Sequence, residues 1–298
     1  MGGEQLRVSE PRFTVKVTSA MPVSPEVSRP GLDGFVYAAL QHLDRLVSDM
    51  RVSIGIPAGV WDERSAVQRY LAYLSVLVDV TLADMAMSAL HSNDLLVEIK
   101  QRMLVEYAAK AKFFSDNPDY ALYMTTIHEA RSVLDKATKS GEPQETIDRL
   151  KADLEQKVES FSAVAHLKKK SFEQIMNVLA GPGEYVALYA FPSALMHGDP
   201  EGMRQLFEAN EQGEQSLSLH FPDELINAMM VDAGANTVMF CEAFIKAYHP
   251  GDEALQKRVE ELNLVFKSLV LKHPYKRDED ALADIQNELR EAGYESQP

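Results

Sequence analysis

Cysteine is nearly absent from this chain: Cys241 is the single one in 298 residues. No internal disulfide can form. The run Val238-Met239-Phe240-Cys241 reads Cys241 as a small buried apolar residue on a helix. One thiol in a chain of this length fits a reducing compartment, so a cytoplasmic location is expected. Long apolar runs are missing too. No stretch of about 18 residues is wholly apolar, and residues 1–30 carry no signal-peptide core. Secretion by a standard signal and membrane spanning are therefore not expected.

Positive charge is also in short supply. Lys and Arg number 30 against 45 Asp and Glu, for a net charge of −15. That balance works against binding to phosphate backbones, which needs clustered cations. The one basic run, Lys168-Lys169-Lys170, reads as a solvated helix face. Several chemical signatures are absent. His128-Glu129 is followed by Ala130-Arg131-Ser132, so the zinc-protease spacing fails. Gly181-Pro182-Gly183 lacks the later Gly and Lys of a phosphate loop. No Gly-x-Ser-x-Gly elbow occurs. Glu98, Glu106 and Glu129 lack the Glu-x-x-His partners of a di-iron bundle. No metal and no cofactor is expected.

What remains is helical pattern in quantity. Apolar residues make up 46% and charged residues 25% of the chain, close to globular averages. Residues 1–33, with Pro11, Pro22, Pro25 and Pro30, read as an extended or mobile segment, with one short strand allowed by Phe13-Thr14-Val15-Lys16-Val17. Helical spacing then starts at about Gly34. A nearly all-apolar helix follows from Asp62 to Leu90, with Asp62 as its N-cap, and suits the centre of a bundle. Further helices are expected from Asp94 to Ser115, from Pro118 to Thr138 and from Glu184 to Met196. Others are expected from Pro200 to Asn210, from Pro222 to Tyr248, from Gly251 to Leu271 and from Asp278 to Ala292. Residues 211–221 read as polar loop. Residues 143–179 form an exposed amphipathic arm that suits partner contacts. The expected fold is all-α: a bundle of about nine to ten helices over residues 34–298. Its apolar central helices suggest a homo-oligomer or another protein partner.

Two segments place ionisable groups in apolar helical runs. Arg102 and Glu106 stand four residues apart, on one helix face. Leu96, Val97, Ile99, Leu104 and Val105 around them favour burial, which leaves three readings: a structural buried pair, a functional site, or a surface pair. Tyr185 and Tyr189 share a face, and His197 follows beyond Pro192. An imidazole is the side chain suited to proton transfer near neutral pH, although capping or packing accounts for it equally well.

The pattern Arg102-x-x-x-Glu106-Tyr107, the Asn117-Pro118 break, a charged hairpin, Tyr185-x-x-x-Tyr189 and Met196-His197-Gly198 resembles a group of uncharacterised all-helical bacterial proteins. That group is a domain of unknown function distantly similar to the helical nucleotide-binding (HEPN) superfamily. The resemblance covers residues 70–250. It implies a helical fold and a polar cluster of Arg102, Glu106, Tyr185 and His197. The superfamily's ribonuclease signature, an Arg and then a His four to six residues on, does not occur here. Two functions are therefore expected to compete. One is an interaction or ligand-binding protein. The other is a phosphodiester hydrolase with Glu106 or His197 as base and Arg102 steadying an anionic transition state.

Overall fold

The structure is a computed structural model. It describes residues 29, 31–53, 65–179, 221–274 and 279–293, and the backbone of 207–209 and 215–217. In chain order the helices are α1 (Gly34–Ser53), α2 (Ala66–Leu90), α3 (Asp94–Asp116), α4 (Pro118–Tyr123) and α5 (Glu129–Ser140). They continue with α6 (Gln144–Ser160), α7 (Ser162–Ala165), α8 (Phe172–Leu179), α9 (Asp223–Tyr248), α10 (Glu253–Lys272) and α11 (Glu279–Glu291). The all-α bundle expected from the periodicity is the fold that forms.

Local chemistry sets the ends. Ser65 caps α2: its hydroxyl accepts the Gln68 N–H at 3.2 Å, while Gln68 Oε1 accepts the Ser65 N–H at 3.1 Å. This reciprocal box places the helix start after Ser65, not at Asp62. Residues 54–64, Asp62 among them, lie outside the described residues. Asp252 caps α10 by accepting the Leu255 N–H at 3.0 Å. Gly141, at φ +71°, closes α5 in the left-handed conformation that glycine tolerates. Between α4 and α5 the helix runs unbroken through one π turn, Met124–His128. There Thr125 and Thr126 return their hydroxyls to the carbonyls of Ala121 and Leu122, at 2.9 and 2.6 Å.

The core is built around α9, which packs against α1, α2, α3 and α10. Phe240 and Phe244 of α9, Phe266 of α10, Leu40 and Leu43 of α1, and Leu82 of α2 are all fully buried. Helices α9 and α10 meet at Gly234, where an added Cβ would lie 2.0 Å from the Phe266 ring. By length and composition α2 and α9 could each cross a membrane; in the bundle, 56% and 78% of their most apolar windows are buried. Within the 143–179 region α6 buries no residue, whereas Val164 of α7 and Ile175 and Met176 of α8 are in the core.

Two features depart from the sequence reading. Phe207–Ala209 and Gln215–Leu217 pair as a short antiparallel hairpin, Phe207 opposite Leu217. The first had been expected to end a helix and the second to lie in loop. The linking sequence Asn210-Glu211-Gln212-Gly213-Glu214 supplies turn formers at hairpin length. The chain near residue 30 is also tied down. Arg29, 8% exposed, donates to the carboxylates of Asp94 and Asp223 and, at 3.0 Å, to the Phe221 carbonyl. Asp33 accepts from Lys272 at 2.6 Å and pairs with His273 at 2.8 Å. The strand suggested at Phe13–Val17 lies outside the described residues.

Candidate functional site

Helix α3 carries an acid–base ladder. Glu98, Arg102, Glu106 and Lys110 recur every four residues, so they share one face. Exposure rises along it: Glu98 is 1% and Arg102 7% exposed, while the Glu106 and Lys110 side chains reach 22% and 28%. The ladder therefore runs from the interior out to the surface. Arg102 Nη2 stands 3.8 Å from Glu106 Oε2, an ion pair too long for a good hydrogen bond. Lys110 is the closer cation to Glu106.

One residue before Arg102, Gln101 turns toward α9. Its Nε2 donates to Asp232 Oδ2 at 2.7 Å, and both side chains are fully buried. Asn236 donates to the Asp232 carbonyl at 2.8 Å and reaches Oδ2 at 3.4 Å. Glu98, Arg102, Glu106 and Asp232 each make further polar interactions. Gln101 Oε1 is buried with no hydrogen-bond partner among the described residues. An acceptor left in that state costs about 1–3 kcal/mol. Its orientation is fixed, because the amide must present its nitrogen to the Asp232 carboxylate.

Of the sequence candidates, Arg102 and Glu106 are thus brought together, with Arg102 on the sealed side. Tyr185 and His197, and Tyr189 with them, lie outside the described residues. The sequence reading passed over Gln101 and Asp232. The signal was present for Asp232: a lone acid within Met229-Met230-Val231-Asp232-Ala233 interrupts the most buried helix of the fold. Three cavities lined by described residues, of about 410, 450 and 350 Å³, open elsewhere, and none of the three includes Arg102 or Glu106. Among the described residues no group of three or more His, Cys, Asp or Glu side chains is set to hold a metal.

A second buried polar group joins α1 to α2. Asp79, fully buried, accepts from Ser48 at 3.0 Å and pairs with Arg51 at 3.1 Å. Asp44 lies beside it, 4% exposed, with Oδ1 lacking a hydrogen-bond partner. Burial, reinforced by the Asp79 carboxylate, pushes the Asp44 carboxyl up to about 7 despite Arg45 and Arg51. The sequence reading had confined ionisable interruptions of apolar faces to two segments. Asp44 and Asp79 are two more, each within an apolar run of its own helix. Comparison of the chain with protein-family models, with curated proteins and with solved structures yields no match.

Proposed function

We propose that this chain is a helical interaction and ligand-binding protein, acting in the cytoplasm, whose recognition chemistry is the polar cluster between α3 and α9. The observation that carries this reading is Gln101 Oε1, a buried acceptor with no hydrogen-bond partner among the described residues, on the amide whose nitrogen donates to Asp232. The acids Glu98, Glu106 and Asp232 outnumber the cations Arg102 and Lys110. The Gln101 acceptor calls for a hydrogen-bond donor, so a small ligand bearing an amine or amide N–H suits it. On the sequence pattern alone, Tyr185 and His197 are assigned to the same site, and the likeness to the uncharacterised helical family belongs to this reading.

Hydrolysis of a phosphodiester has less to stand on. A guanidinium that stabilises a phosphorane needs its charge available, and Arg102 has Glu98 one turn before it and Glu106 at 3.8 Å. Thermal-shift measurement against a panel of amines, amides, carboxylates and nucleotides tests the reading. An amine or amide is expected to raise the wild-type midpoint. Gln101→Met is expected to abolish that rise while the variant stays folded by circular dichroism. A panel that moves nothing, or a shift that survives Gln101→Met, defeats the proposal. Cleavage of single-stranded RNA above the buffer rate, lost in His197→Ala, would establish the hydrolase instead.

A further inference from the structure

The basic run Lys168-Lys169-Lys170 does not lie on the helix face expected for it. It occupies the linker 166–171 between α7 and α8. That linker is pinned at three points. Leu167 donates its N–H to the carbonyl of the buried Val164 at 3.0 Å, and Lys170 donates its N–H to the Tyr120 hydroxyl of α4 at 2.7 Å. Ser171 then closes a capping box with Gln174, at 2.9 and 3.2 Å, and starts α8, whose Ile175 is in the core. The backbone is fixed while all three lysines stand exposed.

These cations lack counter-charge in a chain that supplies it almost everywhere else. Among the described residues eleven other lysines occur, and all but Lys136 pair with a carboxylate. Lys168, Lys169 and Lys170 make no ion pair there, and neither does Arg131 of α5. The acids flanking them in sequence, Glu129 and Glu173, pair with none of the four. Lys169 and Arg131 have a common neighbour in His128 of the π turn: burial, and then these two cations, hold its imidazole below the usual histidine range. The linker and the start of α5 thus share one positive island on a chain of net charge −15.

We propose that Lys168, Lys169, Lys170 and Arg131 form a docking surface for a short acidic segment, rich in Asp and Glu, of a partner protein. Charge complementarity gives the sign of the occupant, and the surroundings limit its size. Exposed charges act over about 10 Å at 0.1 M salt, so a segment of about six residues, at most about 20 Å long, feels the island alone. A long nucleic acid or an anionic bilayer reaches past it onto α6, which packs on α7 and carries five acids against three bases. A small anion finds no hollow, because none of the three cavities described above is lined by these residues. A pinned backbone also reduces the ordering that docking requires. This inference is independent of the α3–α9 reading above.

Fluorescence anisotropy of a dye-labelled hexaglutamate peptide, titrated with the full chain, tests the surface. Binding is expected at about 20 mM salt and is expected to weaken several-fold at about 200 mM. The double variant Lys168→Glu/Lys170→Glu is expected to bind at least about tenfold more weakly, with unchanged melting, since both side chains are exposed. Lys246→Glu/Lys257→Glu alters the net charge equally, on α9 and α10, and is expected to stay within about twofold of wild type. Absence of binding at low salt overturns the proposal. So does an equal loss in the two double variants, which would make the effect one of net charge alone. Tighter binding of a six-nucleotide oligothymidylate, or of phosphatidylserine vesicles, than of the peptide assigns the island to phosphate and overturns it as well.

Discussion

Gly234 shows how a single atom can reverse a general preference. In an open helix, alanine for glycine gains about 1 kcal/mol from backbone entropy. At Gly234 the new methyl would sit 2.0 Å from a Phe266 ring that is itself fully buried and has nowhere to swing. Overpacking of that kind costs about 1–3 kcal/mol, and the clash outweighs the entropy. Gly234→Ala is therefore expected to lower stability by up to about 2 kcal/mol in urea unfolding; a higher midpoint would contradict the packing described. Asp44 gives the pH counterpart. Its folded pKa of about 7 lies above the ordinary aspartate value of 3.8, so the fold favours the protonated acid. The contribution of Asp44 to stability is then greatest below pH 4, falls as pH rises from about 4 to about 7, and levels off above. Asp44→Asn removes the titrating group. It is expected to flatten that slope and to melt higher than wild type at pH 8; equal pH slopes for the two proteins would refute the assignment.

Among the elements, what was legible in the sequence is what is local. The Pro222-Asp223-Glu224 start, the Gly251-Asp252 start and the Ser140-Gly141 break appear in the structure within two residues of their expected places, because a cap or a breaker acts on its own turn. The Arg29 knot was illegible for the opposite reason. Its partners Asp94 and Asp223 lie 65 and 194 residues further along, and no periodicity records a pairing at that range. The α3–α9 cluster is a mixed case: the Arg102–Glu106 spacing is local and was read, while the Gln101–Asp232 contact spans 131 residues and was not. The knot also fastens elements. Asp94 holds Arg29 and, through Oδ2, accepts the Phe221 N–H at 2.7 Å, joining the start of α3 to the approach to α9. Asp94→Ala would leave Arg29 to Asp223 and the Phe221 carbonyl and would strip the Phe221 N–H of its acceptor. A loss of about 1–3 kcal/mol is expected, with new proteolytic cutting near residue 29. Wild-type resistance to protease in that variant would show the knot to be dispensable.

For the molecule as a whole, the pattern predicted the class of fold and left its charge interior unread. The bundle follows from apolar stripes that any long helix must bury. Which stripes face inward is a collective result. The exposed α6 is visible once α9 has claimed the centre. The π turn at Met124–His128 works at this scale too. It accommodates one surplus residue without a break, so everything from Glu129 to Ser140 is rotated by about 100° relative to an uninterrupted rod. The azimuth of the charged α5–α6 hairpin is thus set by a single inserted position. A lineage that lost or gained one residue there would re-aim that whole antenna without altering any side chain upon it.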